Sequence, residues 1–230
     1  MRTLKILGFF LTYPEQEHIQ VVDECAAILR SEKWLSDKGL EKVLHAARHF
    51  KEHSLLDLQE DYVALFDRTP SLSLHLFEHV HGDSRDRGQA LVDLLQVYED
   101  AKLFIDREEM PDYLPLFTEY VATLPHKQAS ETMGSVVNIL SSLVGRLRNR
   151  ESFYADFLDA MIETAARSPD PKAVEEYLSK SSGKALSHAE MDRQWEEPPT
   201  FDNTNIGQDS GCPKAEEMLA HMRDYTQERQ

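Results

Sequence analysis

The sequence predicts an all-α protein, a single multi-helix bundle of about seven to nine helices with a partly disordered acidic C-terminal tail. Two observations carry this prediction. Apolar residues recur at the i, i+3, i+4, i+7 spacing of amphipathic helices along most of the chain. Alternation of β-branched residues is almost absent, and only 9 of the 230 residues are glycine, which argues against a sandwich, a barrel or a Rossmann-like sheet.

The helical stripes follow one another in order. Each places its apolar residues on one face, which is the pattern of a helix with one buried side. The stripes fall at residues 19–29, 40–50, 58–65, 91–98, 136–147 and 154–161.

Capping and helix-breaking residues separate these stripes, as expected where helices start or stop. Proline is tolerated in the first turn, and serine or aspartate accepts the free N–H groups there. These signals stand at Pro14, Ser36-Asp37, Ser54, Pro70, Gly82-Asp83-Ser84, Pro111-Asp112, Pro125 and Ser152.

The character of the chain changes near residue 167. Half of the ten prolines lie beyond this point, and residues 201–213 show no periodicity. We therefore predict a helical domain at residues 1–167 and a polar tail at 168–230 that is partly helical or disordered.

Charge and composition limit the class of partner. The formal net charge of −16 repels a phosphate backbone, so nucleic acid is not expected as a partner, whereas a basic peptide would be attracted. The longest uncharged run, residues 132–145, is too short to span a bilayer, and the short apolar N-terminus lacks a cleavage site. We expect a cytoplasmic protein that is not an integral membrane protein. With only two cysteines, neither a disulfide framework nor a cysteine metal cage is predicted.

A compact group of histidines lies at His75, His79 and His81. His75 and His79 are four residues apart and could reach one metal ion, and Asp83 and Asp86 could add carboxylates. However, the metalloprotease pattern needs a glutamate directly after the first histidine, where this chain has leucine. We therefore favour polar anchors of a turn over a metal site.

Arg85 and Arg87 lie near the start of the next predicted helix. They could hold an anion or a carboxylate, or they could pair with neighbouring aspartates in a surface turn. The spacing of a P-loop is absent. No Ser-His-Asp arrangement or nucleophile elbow occurs either, so catalysis has no positive signal and we expect no enzyme.

The segment that starts at Pro111 and Asp112 reads as a capped helix. An alternative is that Tyr113, Leu116 and Tyr120 line a groove for an apolar guest.

Three segments carry a resemblance to a known family. Residues 65–68 (LFDR), 76–95 (LFEHVHGDSRDRGQALVDLL) and 110–117 (MPDYLPLF) resemble the NarJ family of nitrate reductase molybdenum cofactor assembly chaperones, within the wider TorD-like group. The resemblance implies an all-helical cytoplasmic chaperone of nitrate respiration and assimilation, with no cofactor of its own. It further implies binding to the N-terminal, signal-like segment of the catalytic (alpha) subunit of nitrate reductase, and promotion of molybdenum cofactor and iron–sulfur cluster insertion before membrane attachment.

One departure from the wider family is visible. Its helix start usually reads Pro-Asp-His, and Tyr113 here replaces the histidine. A function that needs that imidazole is therefore not expected of this chain.

We predict a helix-lined groove with apolar walls and acidic groups that pair with basic residues of the peptide. The hypothesis predicts that Phe77→Asp or Tyr120→Ala weakens binding without unfolding the bundle. The predicted peptide-binding residues are Leu76, Phe77, Glu78, His79, Val80, Asp83, Arg85, Asp86, Arg87, Gln89, Asp112, Leu114, Phe117, Glu119 and Tyr120.

Two alternatives remain open at this point. In the first, Arg85 and Arg87 hold the phosphate of the molybdopterin directly, which makes the protein a cofactor carrier. In the second, the three histidines and an aspartate build a helical metal-dependent hydrolase.

Overall fold

The computed structural model describes residues 1–81, 85–105 and 109–179. Within these ranges the chain forms eleven α-helices and no named strand, which confirms the all-α prediction. The helices are α1 (Arg2–Phe9), α2 (Gln16–Gln20), α3 (Val22–Glu32), α4 (Asp37–Glu52), α5 (Leu55–Tyr62), α6 (Leu76–His81), α7 (Arg85–Asp100), α8 (Leu114–Val121), α9 (His126–Arg148), α10 (Tyr154–Thr164) and α11 (Pro171–Ser179).

The structure describes more helices than the seven to nine predicted, because a short helix contains too few residues to show an apolar periodicity. Val21, with φ −94° and ψ 1°, leaves the helical conformation and divides the stripe at 19–29 between α2 and α3. A π-helical turn (Val63–Asp67) and a 3-10 turn (Pro70–Leu72) connect α5 to α6.

Two predicted helix starts show the expected caps. The Ser36 side chain accepts a hydrogen bond from the Gly39 N–H (3.1 Å), and the Ser54 side chain accepts one from the Asp57 N–H (3.2 Å). Each satisfies a backbone donor that has no partner inside its helix.

The core forms around α9, which packs against α8, α10 and α11. α1 also lies in the interior, with Leu4 and Leu7 fully buried. α1 crosses α8 closely at Gly8, where a Cβ atom would stand 2.2 Å from the Thr118 hydroxyl oxygen. Any side chain here would separate the two helices, which together form one side of the site described below.

α11 lies inside the predicted tail but is docked on the bundle. The buried Arg146 of α9 donates to the carbonyl of Tyr177 (2.6 Å) and to that of Ser71 (2.7 Å), and the Tyr177 side chain is buried. The boundary at residue 167 stays a prediction, as does the predicted disorder, because residues 180–230 lie outside the described part.

No helix in the described part of the chain is long and apolar enough to cross a membrane.

Candidate functional site

A short antiparallel bridge between His75 and Tyr113 joins the starts of α6 and α8. The Leu76 N–H donates to the Asp112 carbonyl (3.0 Å), and the Leu114 N–H donates to the Leu74 carbonyl (2.8 Å). These bonds bring together the two sequence segments that carry the family resemblance.

The Asp112 carboxylate is fully buried beneath this bridge. It accepts the Phe77 N–H (3.0 Å) at the start of α6, and it pairs with Nδ1 of His75 (3.2 Å). A carboxylate is favourable there because the helix N-terminus carries partial positive charge and unpaired N–H groups. Burial is the largest single effect on the pKa of His75 and acts to lower it, but the hydrogen bond to Asp112 and the negative charges of Asp112 and Glu78 together outweigh burial, so the pKa is raised. The prediction that Asp112 pairs with a guest cation is therefore wrong for this conformation.

The predicted apolar walls belong to the core. Leu76, Phe77, Leu114, Phe117 and Tyr120 have at most 1% of their surface exposed. No peptide can touch them unless the core opens, so the prediction that they line an open groove is wrong for the described conformation. The helical periodicity that identified them marks a buried face and does not distinguish a groove from a core.

Several polar residues among the predicted peptide-binding residues form ion pairs or hydrogen bonds within the chain. Glu78 and Arg87 form an ion pair (3.0 Å) between α6 and α7, and Gln89 donates to Asp93 one turn further along (2.8 Å). Val80 is half-buried and Asp86 is exposed. Asp83 and the side chain of Arg85 lie outside the described part. The hypothesis that Arg85 and Arg87 hold the phosphate of the molybdopterin therefore stays a prediction. The pairing of Arg87 with Glu78 gives it no support.

The histidines make contacts within the chain around α6, whereas the turn that they were predicted to anchor, residues 82–84, lies outside the described part. His79 Nε2 donates to the Ser73 carbonyl (2.8 Å), and burial lowers the pKa of His79. The His81 ring packs edge-on against Phe77. Among the described residues no cluster of three or more His, Cys, Asp or Glu is placed to hold a metal ion, so the metal-dependent hydrolase loses its basis in these side chains.

Tyr113 has a structural role where the wider family has histidine. Its hydroxyl lies 3.0 Å from the Tyr62 hydroxyl and 3.4 Å from the Leu11 carbonyl. Burial raises the pKa of Tyr113 to about 12, so the phenol stays protonated at neutral pH. It fixes the connection that follows α1.

An open cavity, lined in part by Tyr113, lies between α1, α2, α8 and the connections that follow α1 and α7. This space, the α1–α8 cleft, has a volume of about 440 Å³. Of the predicted binding residues whose side chains the structure describes, only Glu119 lines the cleft, together with Tyr113 and Leu116 from the alternative interpretation of the segment that starts at Pro111. The lining residues are Lys5, Gly8, Phe9, Thr12, Tyr13, Glu15, Glu17, His18, Ile105, Glu109, Tyr113, Pro115, Leu116 and Glu119.

The cleft combines apolar walls with negative charge. Among the described residues, four glutamates (Glu15, Glu17, Glu109 and Glu119) and one cation, Lys5, line it. Large apolar side chains stand exposed on and beside the cleft: Tyr13 is 43% exposed, and Met110 and Phe104, close in sequence to the lining residues Glu109 and Ile105, are 42% and 78% exposed. Such a surface suits a guest that is apolar and basic.

His18 holds the wall of the cleft in place. Its ring stacks on Phe9 (centroids 4.1 Å apart), its Nδ1 accepts the Glu15 N–H (3.0 Å), and its Nε2 donates to the Phe9 carbonyl (3.0 Å). These two hydrogen bonds require the neutral ring. Burial lowers the pKa of His18 below its ordinary value, against the opposing effect of its backbone bonds and of the nearby glutamates Glu15 and Glu17.

This arrangement predicts an acid-sensitive fold. Because the folded pKa of His18 is depressed, its contribution to stability is present above the unfolded pKa of about 6.5 and is lost as pH falls through the folded value. In chemical denaturation, His18→Gln should therefore lose less free energy of unfolding than the unmodified protein when the pH is lowered from 7.5 to 5.5. The control is His126→Gln, which removes an exposed histidine that does not line the cleft. An unchanged slope in His18→Gln would contradict this role.

The described fold is an α-helical bundle with an acidic cleft that has apolar walls. A family profile described as nitrate reductase delta subunit matches residues 35–167. Over 197 residues the chain is 37% identical to the probable nitrate reductase molybdenum cofactor assembly chaperone NarW of Escherichia coli (strain K12), covering 86% of this chain and 82% of that protein. Over 225 residues it is 36% identical to the nitrate reductase molybdenum cofactor assembly chaperone NarJ of the same strain, covering 98% and 93%. A probable NarJ chaperone of Bacillus subtilis (strain 168) is 27% identical over 161 residues, covering 70% of this chain and 86% of that protein.

The chain therefore belongs to the nitrate reductase delta subunit family, together with the NarJ and NarW assembly chaperones. The profile covers the α8 side of the cleft, whereas α1 and α2 precede it. The α1 and α2 residues were missed from the sequence because no motif marks them, and only the fold brings them beside α8.

Proposed function

We propose that this protein is a cytoplasmic chaperone for the assembly of respiratory nitrate reductase, and that it acts by binding rather than by catalysis. Its client is the catalytic subunit, whose N-terminal, signal-like segment would lie in the α1–α8 cleft. The names of the relatives support the coarse role, since NarJ and NarW are both described as nitrate reductase molybdenum cofactor assembly chaperones.

The observation that carries the peptide-binding proposal is the composition of the cleft. Its volume of about 440 Å³ accommodates a few side chains of a peptide, and Phe9, Ile105 and Leu116 provide apolar walls for these side chains. Apolar burial contributes roughly 25 cal/mol per Å² before the cost of ordering the peptide. The four glutamates then favour a guest with arginine or lysine among its apolar residues.

The field of the whole molecule supports the same client. A net charge of −16 attracts a basic segment from a distance and repels acidic competitors. Such attraction acts mainly on the association rate and on the choice of partner, while buried apolar contacts supply most of the affinity. Binding therefore stays reversible, as a chaperone that must release its client requires.

Occupation of the cleft would delay membrane attachment of the client. While its N-terminus is held by the chaperone, the catalytic subunit remains available for insertion of the molybdenum cofactor and of an iron–sulfur cluster. Both groups are cargo of the client in this proposal, and the chaperone itself holds none.

Calorimetric titration with a synthetic peptide tests the proposal. The peptide comprises about fifteen N-terminal residues of the catalytic subunit from the same organism, roughly four helical turns in length if helical. We expect micromolar or tighter binding that weakens with salt, because the exposed glutamates are screened. A scrambled peptide of equal composition is the control. Equal affinity for both peptides, or no heat with either, would contradict client recognition in this cleft.

A further inference from the structure

We propose that Lys5 is a specificity-determining residue. Its ammonium group pairs with the Glu119 carboxylate until a basic residue of the client displaces it. The inference rests on the proposed function and adds to it a built-in competitor. In this account Lys5 sets how basic a peptide must be before it binds.

The geometry of the cleft singles out this pair. Lys5 Nζ lies 3.2 Å from Glu119 Oε1, so the ion pair joins α1 to α8 on the side of the cleft that these two helices form. The side chains are 49% and 58% exposed, so both stay in contact with solvent and can exchange partners. Of the four lining glutamates, Glu119 is the one that an ion pair between described residues neutralises.

A structural role explains the ion pair poorly. α1 is already held against α8 by the close crossing at Gly8, and its first N–H groups donate to the Glu32 carboxylate at the end of α3. An exposed ion pair adds little to stability because both charges remain solvated. Its main consequence is therefore local, since Lys5 places a positive charge among the four described glutamates of the cleft.

If Lys5 competes with the client for Glu119, removing Lys5 should raise the affinity for the client peptide. An incoming arginine or lysine must separate Lys5 from Glu119 before it can pair with this carboxylate. In a Lys5→Met variant the apolar stem is kept and Glu119 is free. We expect the client peptide to bind about two- to fivefold more tightly at low salt, the equivalent of one exposed ion pair.

The experiment is calorimetry with the full chain and the synthetic N-terminal peptide of the catalytic subunit. Lys127→Met is the matched control, because the exposed Lys127 forms an ion pair with the half-buried Glu131 on α9 and does not line the cleft. It removes the same charge and should leave the affinity within the error of the measurement. Lys5→Arg keeps the competitor and should also bind like the unmodified protein.

Glu119→Gln separates competition from general repulsion. If Lys5 competes for Glu119, the gain from Lys5→Met disappears in the Glu119→Gln background, where no carboxylate is released. A peptide with its arginines and lysines replaced by glutamine should show no gain either. The inference is overturned if Lys5→Met binds no more tightly, if Lys127→Met gives the same gain, or if the gain persists beside Glu119→Gln.

Failure of the inference differs from failure of the proposed function. If the unmodified protein binds the native peptide and Lys5→Met does not improve binding, only the role of Lys5 is lost. If neither protein binds the peptide, the proposed function fails, and the inference fails with it.

Discussion

A Phe77→Asp variant is expected to unfold the helical domain instead of merely weakening binding. The Phe77 ring has no exposed surface and packs at the junction of α6 with the core. Loss of a buried phenylalanine ring costs about 3–5 kcal/mol. Placing a carboxylate in the same space adds several kcal/mol. Together these approach the whole stability of a typical domain, about 5–15 kcal/mol.

Circular dichroism and urea denaturation measure this effect directly. The matched control is Phe104→Asp, which makes the same change at a side chain that is 78% exposed, so its free energy of unfolding should change by less than about 0.5 kcal/mol. A Phe77→Asp protein that unfolds at the same urea concentration as the unmodified chain would show that α6 is not packed as described.

The helices were predictable because their signals are local. Ser36 and Ser54 were predicted as helix starts, and each caps a helix in the structure. A capping serine and the apolar stripe that follows lie within a few residues of each other, so one segment contains the whole signal. The helices outside the predicted stripes, such as the six-residue α6, are too short for a stripe to develop.

The burial of the motif residues was not predictable in the same way. Phe77 and Asp112 meet across 35 positions of sequence, and the hydrogen bond between them makes Asp112 part of the scaffold. The sequence shows an acidic residue at a helix start, a pattern equally typical of an exposed cap. Only the bridge between the starts of α6 and α8 reveals that this carboxylate is enclosed.

The cleft depends on still longer separations. Lys5 and Glu119 lie 114 positions apart, and Tyr113 reaches the Leu11 carbonyl over 102 positions. Exposed glutamates on separate helices have no local signature that assigns them to one surface. The family resemblance predicted the kind of guest, and the fold identifies the surface that suits it.

Reversing the charge of the cleft is expected to abolish binding of the native peptide. In a Glu17→Lys/Glu109→Lys variant two attractive contacts become repulsive, and like-charge juxtaposition at an interface costs several kcal/mol. Affinity should fall by more than about tenfold, since each 1.4 kcal/mol is a factor of ten. Both glutamates are exposed, so the fold should survive.

Glu41→Lys/Glu175→Lys is the matched control. These glutamates are exposed on α4 and α11 and do not line the cleft, yet the variant makes the same change in net charge. It should retain most of the affinity for the native peptide, apart from a loss of long-range attraction that salt removes.

The measurement that tests the central claim most directly is a charge exchange between cleft and client. The Glu17→Lys/Glu109→Lys variant is titrated with the native peptide and with a peptide whose arginines and lysines are replaced by glutamate. Recognition in the α1–α8 cleft predicts that the variant loses the native peptide and binds the acidic one more tightly than the unmodified protein does. Undiminished binding of the native peptide by the folded variant would contradict it and place the client elsewhere on the protein.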